Sequence, residues 1–433
     1  MALVYTALGV AAGLLGGFVQ AVSGGALYRK SSFLLDSLGK KVFPKHIDIH
    51  EDPFVLRGKG SSPFDDEGVR SAARHVVKGG RVEGYFLSSY SARKLGMKTT
   101  GNAGGSAVNG IYQANDRENF FIPEFGYNRQ INPEATLGVS IYGNGGMNTD
   151  YSRAVPLLGT SPAGIDLIQL FVAPTATWRV TPNNTVGLTL NLAYQRFKAN
   201  GLENFVGAST AGSNLTNNGY DSSYGAGLHL GWIGQLNEAI SLGATYQTKT
   251  YMSKFDKYSG LFAEQGDFDI PSSYGLGLAI KATPALTLAG DVQRINYSKV
   301  ASVGNASLSN LGNGLGADNG PGFGWRNVTA IKLGASYAYN NALTVRAGYN
   351  HSSQPIRSNE TMFNILAPGV VQDHLTFGAS WALSKQAELS LAYMHAFEQS
   401  VQGNGSVPNP YGAGEVNLNM HQDSLGIAYG WKL

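Results

Sequence analysis

Between Thr329 and Asn350 the chain alternates strictly. Thr329, Ile331, Leu333, Ala335, Tyr337 and Tyr339 interleave with Ala330, Lys332, Gly334, Ser336 and Ala338; after Asn340-Asn341, Leu343, Val345, Ala347 and Tyr349 interleave with Thr344, Arg346, Gly348 and Asn350. A period of two belongs to strands, so the stretch predicts a hairpin with one apolar face. The Asn pair tolerates the positive φ of a tight two-residue turn, which is predicted between the arms. Each arm runs about ten residues, the length a tilted strand needs to cross a bilayer. The opposite face carries Lys, Arg, Ser and Gly, which suits a polar lumen better than a protein core.

The same alternation recurs from about residue 119 to the C-terminus. Phe121, Phe125 and Tyr127 share one face, as do Leu137, Val139 and Ile141 after Asn132-Pro133. Further arms run Ile168 to Val180, Val186 to Tyr194, Tyr224 to Trp232, Ile240 to Tyr246, Tyr274 to Ile280 and Leu286 to Val292, and beyond the hairpin Leu375 to Leu383, Leu389 to Phe397 and Leu425 to Leu433. Thirteen strands are predicted. Short connections at 132–134, 181–184, 236–238, 283–285, 340–341 and 384–386 alternate with long ones at about 144–164, 199–221, 253–270, 298–325, 352–372 and 398–420. Short turns at one end and long loops at the other predict an all-β, transmembrane, up-and-down antiparallel barrel, with periplasmic turns and outer loops. A soluble sandwich does not sort its connections this way.

Composition agrees with an envelope protein. The chain has 433 residues, 57 glycines, 22 tyrosines, no cysteine and 14% charged residues, against about 25% in ordinary soluble domains. Lack of cysteine excludes thiolate metal sites and cysteine nucleophiles. No uninterrupted apolar run reaches 18 residues, so a spanning helix is not predicted. Charge divides the chain: residues 1–106 hold 14 Lys/Arg against 8 Asp/Glu, a balance of +6, whereas 107–433 hold 18 against 21, a balance of −3. Two unlike segments, 1–106 and 107–433, follow from that asymmetry. The basic part lacks cation blocks and interleaved aromatics, so no nucleic-acid partner is expected.

Met1 to Ala26 is small and apolar, and Val19-Gln20-Ala21 is similar to a signal-peptidase site. The first cations, Arg29 and Lys30, fall beyond the apolar run, so a buried helix is the alternative to a secretory signal. Further on, SGGALYRKSSFLLDSLGKKVFP, RGKGSSPFDDEGVR and GYFLSSYSARKLGMKTTGNAGGS closely resemble the TldD/PmbA metalloprotease family, over about residues 11–105. That resemblance implies a mixed α/β fragment of a soluble heteromeric peptidase, of the PmbA-like kind. The zinc-binding partner in that family carries His-Glu-x-x-x-His; the corresponding place here, Gly16-Gly17-Phe18-Val19-Gln20-Ala21, has neither residue, so no metal, cofactor or catalytic residue is expected. His46 and His50 in HIDIHED read as one side of a solvated strand, and Asp65, Asp66 and Glu67 as a solvated turn after Pro63 or a carboxylate cluster. The fragment is a fraction of that family's length and is not expected to fold as its domain does.

NPEATLGVSIYGNGGMNTDY, FDIPSSYGLGLAIKATPALTLAGDVQRINYSKV and NNALTVRAGYNHSSQPI resemble the FadL-type outer-membrane transporters of long-chain fatty acids and other hydrophobic compounds, from about Phe120 to Leu433. The resemblance implies a 14-stranded barrel plugged by an N-terminal hatch, an outer-loop groove that catches an apolar ligand, and a lateral exit at a kinked strand. It places Leu202, Phe205, Val206, Leu215, Phe255, Tyr258, Leu261, Phe262 and Phe268 in the groove, unless these pack on one another. Gly143, Gly145 and Gly146 fall at the kink. Lumen cations Lys281, Lys332 and Arg346 meet either a ligand carboxylate or inward Asp and Glu; His229 and His374 share the inward parity without ligand spacing.

The N-terminal fragment occupies the place of hatch and first strand, so thirteen strands leave one upward strand missing. The expected function is passive transport of fatty acid-like compounds across the outer membrane, with no enzymatic activity. Expected partners are outer-membrane lipid or lipopolysaccharide and the barrel-assembly machinery, which would engage the C-terminal strand of a monomer. The alternatives are a non-catalytic component of a TldD/PmbA peptidase complex and a chimera without integrated function.

Overall fold

A computed structural model describes residues 18–432 apart from 20, 29, 31, 57–60, 66, 104–111 and 409–413. The candidate signal segment before Phe18, together with Asp66 and Leu433, lies outside the described residues. Among these, no helix is long and apolar enough to cross a membrane, a statement that leaves strands untouched. The chain divides into two compact units, residues 1–111 with 409–414 and residues 112–408 with 415–433.

The first unit pairs β1 (Ile49–Glu51), β2 (Arg74–Lys78) and β3 (Arg81–Val82) in an antiparallel sheet beside α1 (Gly24–Tyr28) and α2 (Ser89–Leu95). Its core is Phe18, Val22, Leu27, Val76, Val77, Val82, Tyr85, Leu87 and Ala92. A capping box from Ser88 to Ser91 opens α2, and Gly96 at φ 67° closes it in the left-handed conformation that Gly adopts without a Cβ clash. His50 is exposed on β1 and edge-on to His75 at 4.9 Å, while His46 precedes the strand, which is shorter than the alternation predicts. Asp65 makes a turn, accepting from the N–H groups of Glu67 and Val69 at 3.0 and 2.8 Å.

The second unit is one antiparallel sheet of consecutive neighbours. Its strands are β4 (Phe125–Gln130), β5 (Ala135–Ala154), β6 (Pro162–Thr181), β7 (Asn184–Asn200), β8 (Asp221–Gln235), β9 (Ile240–Gln247), β11 (Ser273–Lys281), β12 (Leu286–Ile295), β13 (Val328–Ala338), β14 (Leu343–Ser352), β15 (Asp373–Ala382), β16 (Ala387–Val401) and β17 (Leu418–Trp431). A two-residue strand, β10 (Tyr251–Met252), pairs with β8 above β9. The thirteen predicted strands are therefore present. Their outward rows are apolar and exposed: Ile331 49%, Leu333 60%, Tyr337 45% and Leu425 74%. A surface of that kind is untenable in water and suits hydrocarbon.

Two details correct the alternation. The connection expected at 144–164 is mostly strand, because β5 and β6 both run for 20 residues and leave only 155–161 between them. Bulges sustain this extension past the membrane, by re-registering β5 on β6 between Gly143 and Gly146 and again between Asp150 and Ala154. Conversely, the first strand begins at Phe125, and Phe121, expected within it, is 92% exposed ahead of it.

The second correction concerns the Asn340-Asn341 turn, where neither residue has positive φ. Instead the Asn340 side-chain oxygen accepts from the N–H groups of Ala342 and Leu343, both at 2.8 Å. Asn132, Asn237, Thr283 and Ser384 do the same two and three residues ahead, at 2.8 to 3.3 Å. Five of the six short turns thus share one device, a polar side chain that substitutes for a backbone carbonyl.

The sheet order ends on β17 and on β4, and among the described residues no pairing joins them. Every residue of β4 is exposed, as is nearly all of β17. Both strands run from the long-loop end to the short-turn end, so the two edges are parallel, and among the described residues no upward strand lies between them.

The turn device makes a specific prediction. Asn340→Ala and Asn340→Gly should each lower the barrel's unfolding free energy by about 1 kcal/mol, read from urea midpoints in detergent, while Asn341→Gly should change little. Stabilisation by Gly at both positions would return the turn to the positive-φ type.

Candidate functional site

At the long-loop end, segments from four loops cross-brace. The 199–221 loop and the 298–325 loop exchange backbone bonds, Thr210 N to Leu315 O and Leu315 N to Ala208 O, both at 2.9 Å. Gln265 N reaches Gly316 O at 2.9 Å from the 253–270 loop. Trp325 Nε1 donates to Asn364 Oδ1 at 2.6 Å, and Asn364 Nδ2 returns a bond to Phe323 O at 2.7 Å. Buried Glu360 accepts from Ser307 N at 2.8 Å, and Tyr151 Oη on the extended β5 donates to Ile365 O at 2.9 Å. These bonds satisfy polar groups that the loops bury, and so they hold an apolar interior together.

That interior contains a cavity of about 40 Å³ lined by Ile165, Phe197, Leu202, Phe205, Leu215, Leu261, Phe262, Leu315, Phe323, Phe363 and Leu366, with Ser302 its one hydroxyl. Five of the nine expected groove residues meet here: Leu202, Phe205, Leu215, Leu261 and Phe262. Phe255, Tyr258 and Phe268 stand behind them in an aromatic cluster, with Phe197 centred 4.8 Å from Tyr258 and 4.7 Å from Phe262, and Phe262 4.7 Å from Phe268. Tyr258 is an anchor: its oxygen receives Ala199 N at 3.0 Å and donates to Gly219 O at 2.6 Å, and burial pushes its hydroxyl pKa up. Val206 is 41% exposed and outside the lining. Sequence reading missed Phe197, Ile165 and the contributions of the 298–325 and 352–372 loops. The signal was available, since Leu315, Phe323, Phe363 and Leu366 are large apolar residues inside long outer loops.

Below, lumen-facing β6 residues lead from Ile165 and Leu167 to Phe171, which packs with Ala193, Met252 and Ile270 and meets Tyr142 edge-on at 5.6 Å. Beside this cluster β6 is loosened on both edges. Toward β5, Asn144 and Gly145 together oppose Gln169, and Gly145 sits at φ 112°. A Cβ on Gly146 would come within 2.7 Å of Leu167 O, so the strands approach closely only because it is Gly. Toward β7, pairing jumps from Val172–Leu192 to Thr175–Thr189, with Pro174 offering no N–H between them. The three expected kink glycines therefore form a bulge.

Lower still, a cavity of about 560 Å³ occupies the barrel, with Thr175, Thr177, Thr189, Thr245, His229, Asp291, Gln293 and Lys332 in its lining. Lys332 donates to Gln293 at 3.1 Å and Arg346 to Ser380 at 2.7 Å. No ion pair among the described residues engages Lys281, Lys332 or Arg346, which corrects the alternative of inward carboxylate partners; neutral amides and hydroxyls hold the two bonded cations. His229 contacts Thr245, and His374 contacts Asn350 on another part of the wall, so the two histidines do not converge. Among the described residues no His, Asp and Glu group is arranged to hold a metal ion.

One loop carboxyl behaves unusually. Asp267 has an unpartnered buried Oδ2, and burial, then the charges of Asp269 and Glu264, raise its pKa from 3.8 to about 6. The folded loop thus binds this proton more tightly than the unfolded chain does. Its stabilising contribution is complete below the unfolded value of 3.8 and is lost as pH rises through about 6. Amide exchange across Phe262–Ile270, corrected for intrinsic rates, should show less protection at pH 7.5 than at pH 5, and Asp267→Asn should flatten that difference. The same pH response in wild type and variant would remove Asp267 as its cause.

Two family models match the chain. The PmbA/TldA metallopeptidase C-terminal domain matches residues 3–126, and the outer membrane protein transport protein model (OMPP1/FadL/TodX) matches residues 89–431. Over 96 residues the chain is 55% identical to metalloprotease PmbA of Escherichia coli O157:H7 and 54% identical to a PmbA homologue of Haemophilus influenzae, in each case 22% of this chain. It spans about a fifth of the length of those relatives, 21%. Among solved structures, the P. putida toluene transporter TodX is similar at TM-score 0.51 and 18% identity, over 72% of this chain and 82% of its own. A Pseudomonas aeruginosa FadL homologue is similar at 0.55 and 15%, over 72% and 78%. At such identities the likeness is one of fold, the same barrel that the strand order describes. The family model, by contrast, extends over well more than half of the sequence, and the chain belongs to the OMPP1/FadL/TodX family of outer membrane transport proteins.

Proposed function

We propose that the barrel, residues 107–433, carries long-chain fatty acids or compounds of similar apolarity passively across the outer membrane, without covalent chemistry. The observation that carries this reading is the cavity at the long-loop end, built almost entirely from apolar side chains of four separate loops and two strands. Its volume of about 40 Å³ holds roughly three water-sized groups. A chain-like ligand therefore enters by parting the packed rings, Phe205 from Phe363 first, since their centroids are 5.1 Å apart. Apolar burial drives each step: capture among Leu202, Phe205, Leu215, Leu261 and Phe262, passage along Phe171, and partition into the bilayer. The bulge at Gly143–Gly146, next to the Pro174 interruption, supplies the sideways exit. In this reading β17 is the strand that the barrel-assembly machinery engages, and the barrel is a monomer.

A second reading, a non-catalytic component of a TldD/PmbA-type peptidase, rests on the first unit's core and its 55% identity to PmbA. A third is a fusion without integrated function. Fractionation separates the first two. A transporter is recovered in the outer membrane and migrates faster unheated than heated on a detergent gel, whereas soluble, heat-insensitive protein sinks the transport reading. An absence of any ligand binding by membrane-inserted protein favours the third.

In a titration with a fluorescent fatty acid, Phe205→Ala and Phe262→Ala should each weaken binding about tenfold, the cost of one lost apolar contact surface. Gly145→Val should leave binding unchanged and reduce uptake more than tenfold, because Val cannot hold φ 112° and the bulge must flatten. Normal uptake by that variant removes the bulge from the exit route.

A further inference from the structure

The outward rows across β6, β7 and β8 change character in a fixed order. From the short-turn end they read Trp178–Val186–Trp232, Ala176–Leu188–Leu230, Leu190–Leu228, Val172–Leu192–Ala226 and Leu170–Tyr194–Tyr224, then Ile168–Arg196–Ser222. Next come Asp166 and Lys198, with Tyr220 immediately before β8. Leu188, Leu190 and Leu192 are 40 to 43% exposed, and Tyr224 is 64% exposed, which identifies this as the lipid-facing wall. Tryptophan below, aliphatics between and tyrosine above form an apolar band bounded by aromatic girdles. On β7 the nine residues from Val186 to Tyr194 span roughly 20 Å of membrane normal at the usual strand rise and tilt. Arg196 and Lys198 stand just above the upper girdle, at the depth of lipid head groups.

Neither cation has a carboxylate partner among the described residues. No ion pair among the described residues engages either one. Arg196 lies 4.3 Å and Lys198 5.2 Å from the centre of the Tyr220 ring, and Arg196 Nε is buried without a hydrogen-bond partner. The neighbouring carboxylate is already committed: Asp166 Oδ2 accepts from Arg117 and from Tyr220 Oη, each at 2.7 Å. Tyr220 is thereby fixed as a platform. Lys257 adds another cation by donating to Tyr220 O at 2.7 Å, while its backbone N–H engages Asp221. Arg117, Arg196, Lys198 and Lys257 together outnumber Asp166 and Asp221, four charges to two.

We propose that this wall binds the phosphate of an outer-leaflet lipid, with its acyl chains lying along the Leu192 and Leu190 rows. Arg196 is half-buried and free of any ion pair among the described residues, and Arg presents its donors as a fork that phosphate matches. The continuity of cations with an exposed aliphatic surface selects a lipid over a free ion, because one molecule satisfies both. This site is separate from the loop cavity and does not rest on the transport reading.

The experiment is native mass spectrometry of the full chain released from detergent after incubation with diphosphoryl lipid A, with dephosphorylated lipid A and with inorganic phosphate. Wild type should retain the diphosphoryl form. Each neutralised cation should weaken retention about fivefold, so Lys198→Gln gives about fivefold and the Arg196→Gln/Lys198→Gln pair about 25-fold, while Lys385→Gln at a short turn gives no change. Retained heat-modifiability certifies that the variants are folded, and the exposed single substitution covers the case where the pair is not. Retention within twofold of wild type in the folded double variant overturns the proposal. So does equal retention of the dephosphorylated lipid, or displacement of lipid A by millimolar inorganic phosphate. Loss of lipid A retention in the double variant with fatty acid binding intact separates this site from the loop cavity.

Discussion

In hydrocarbon no water repairs an unmade backbone hydrogen bond, and that constraint organises the whole second unit. It forces every strand between β5 and β16 to be paired on two sides, and it makes a break in the ladder informative. The breaks at Gly143–Gly146 and at Pro174 fall on the two edges of one strand, beside the buried Phe171 cluster. Other irregularities occur where β8 passes from β9 to β10 and between Ala396 and Gln399 on β16.

The polar and apolar halves of the interior divide the work differently. Near the loops, packing is aromatic and aliphatic, and polar atoms are bound to one another so that the rings can be buried. In the barrel the lining interleaves threonines and glycines with Val186, Trp232, Ile233, Leu276 and Val292, and cations are held by neutral partners such as Gln293 and Ser380. Between the two regions Phe171 packs with Ala193, Met252 and Ile270. The charged rows on the outer wall belong to a third environment, the head groups, and use the same tyrosine chemistry outside that Tyr258 uses inside.

Much of this was legible in the sequence, for a physical reason. A strand with lipid on one face and water on the other must alternate, so the number of strands and the sorting of connections could be read directly. Three things escaped. Asn340-Asn341 reads as a positive-φ pair from backbone preference alone, but the side-chain acceptor of Asn340 offers a turn without that conformation, and composition cannot distinguish the two. The extension of β5 to Ala154 is hidden by glycine and asparagine, which signal loops unless a bulge makes them strand. Loop packing is non-local: that Leu315 meets Phe205 depends on loop closures more than a hundred residues apart, and nothing periodic encodes it. The resemblance placed nine apolar loop residues together, and Leu202, Phe205, Leu215, Leu261 and Phe262 do line one cavity, whereas Val206 lies outside it.

The two edges left without a pairing among the described residues carry a consequence of parity. Because the count of spanning strands among the described residues is odd, β4 and β17 descend together, and an identical edge can join either of them in antiparallel fashion only if its owner is inverted in the membrane. A barrel inserted always from one side cannot meet such a neighbour. Odd parity thus denies copies of this chain the commonest route by which exposed strands polymerise, and leaves each edge open only to a strand that rises where its own descends.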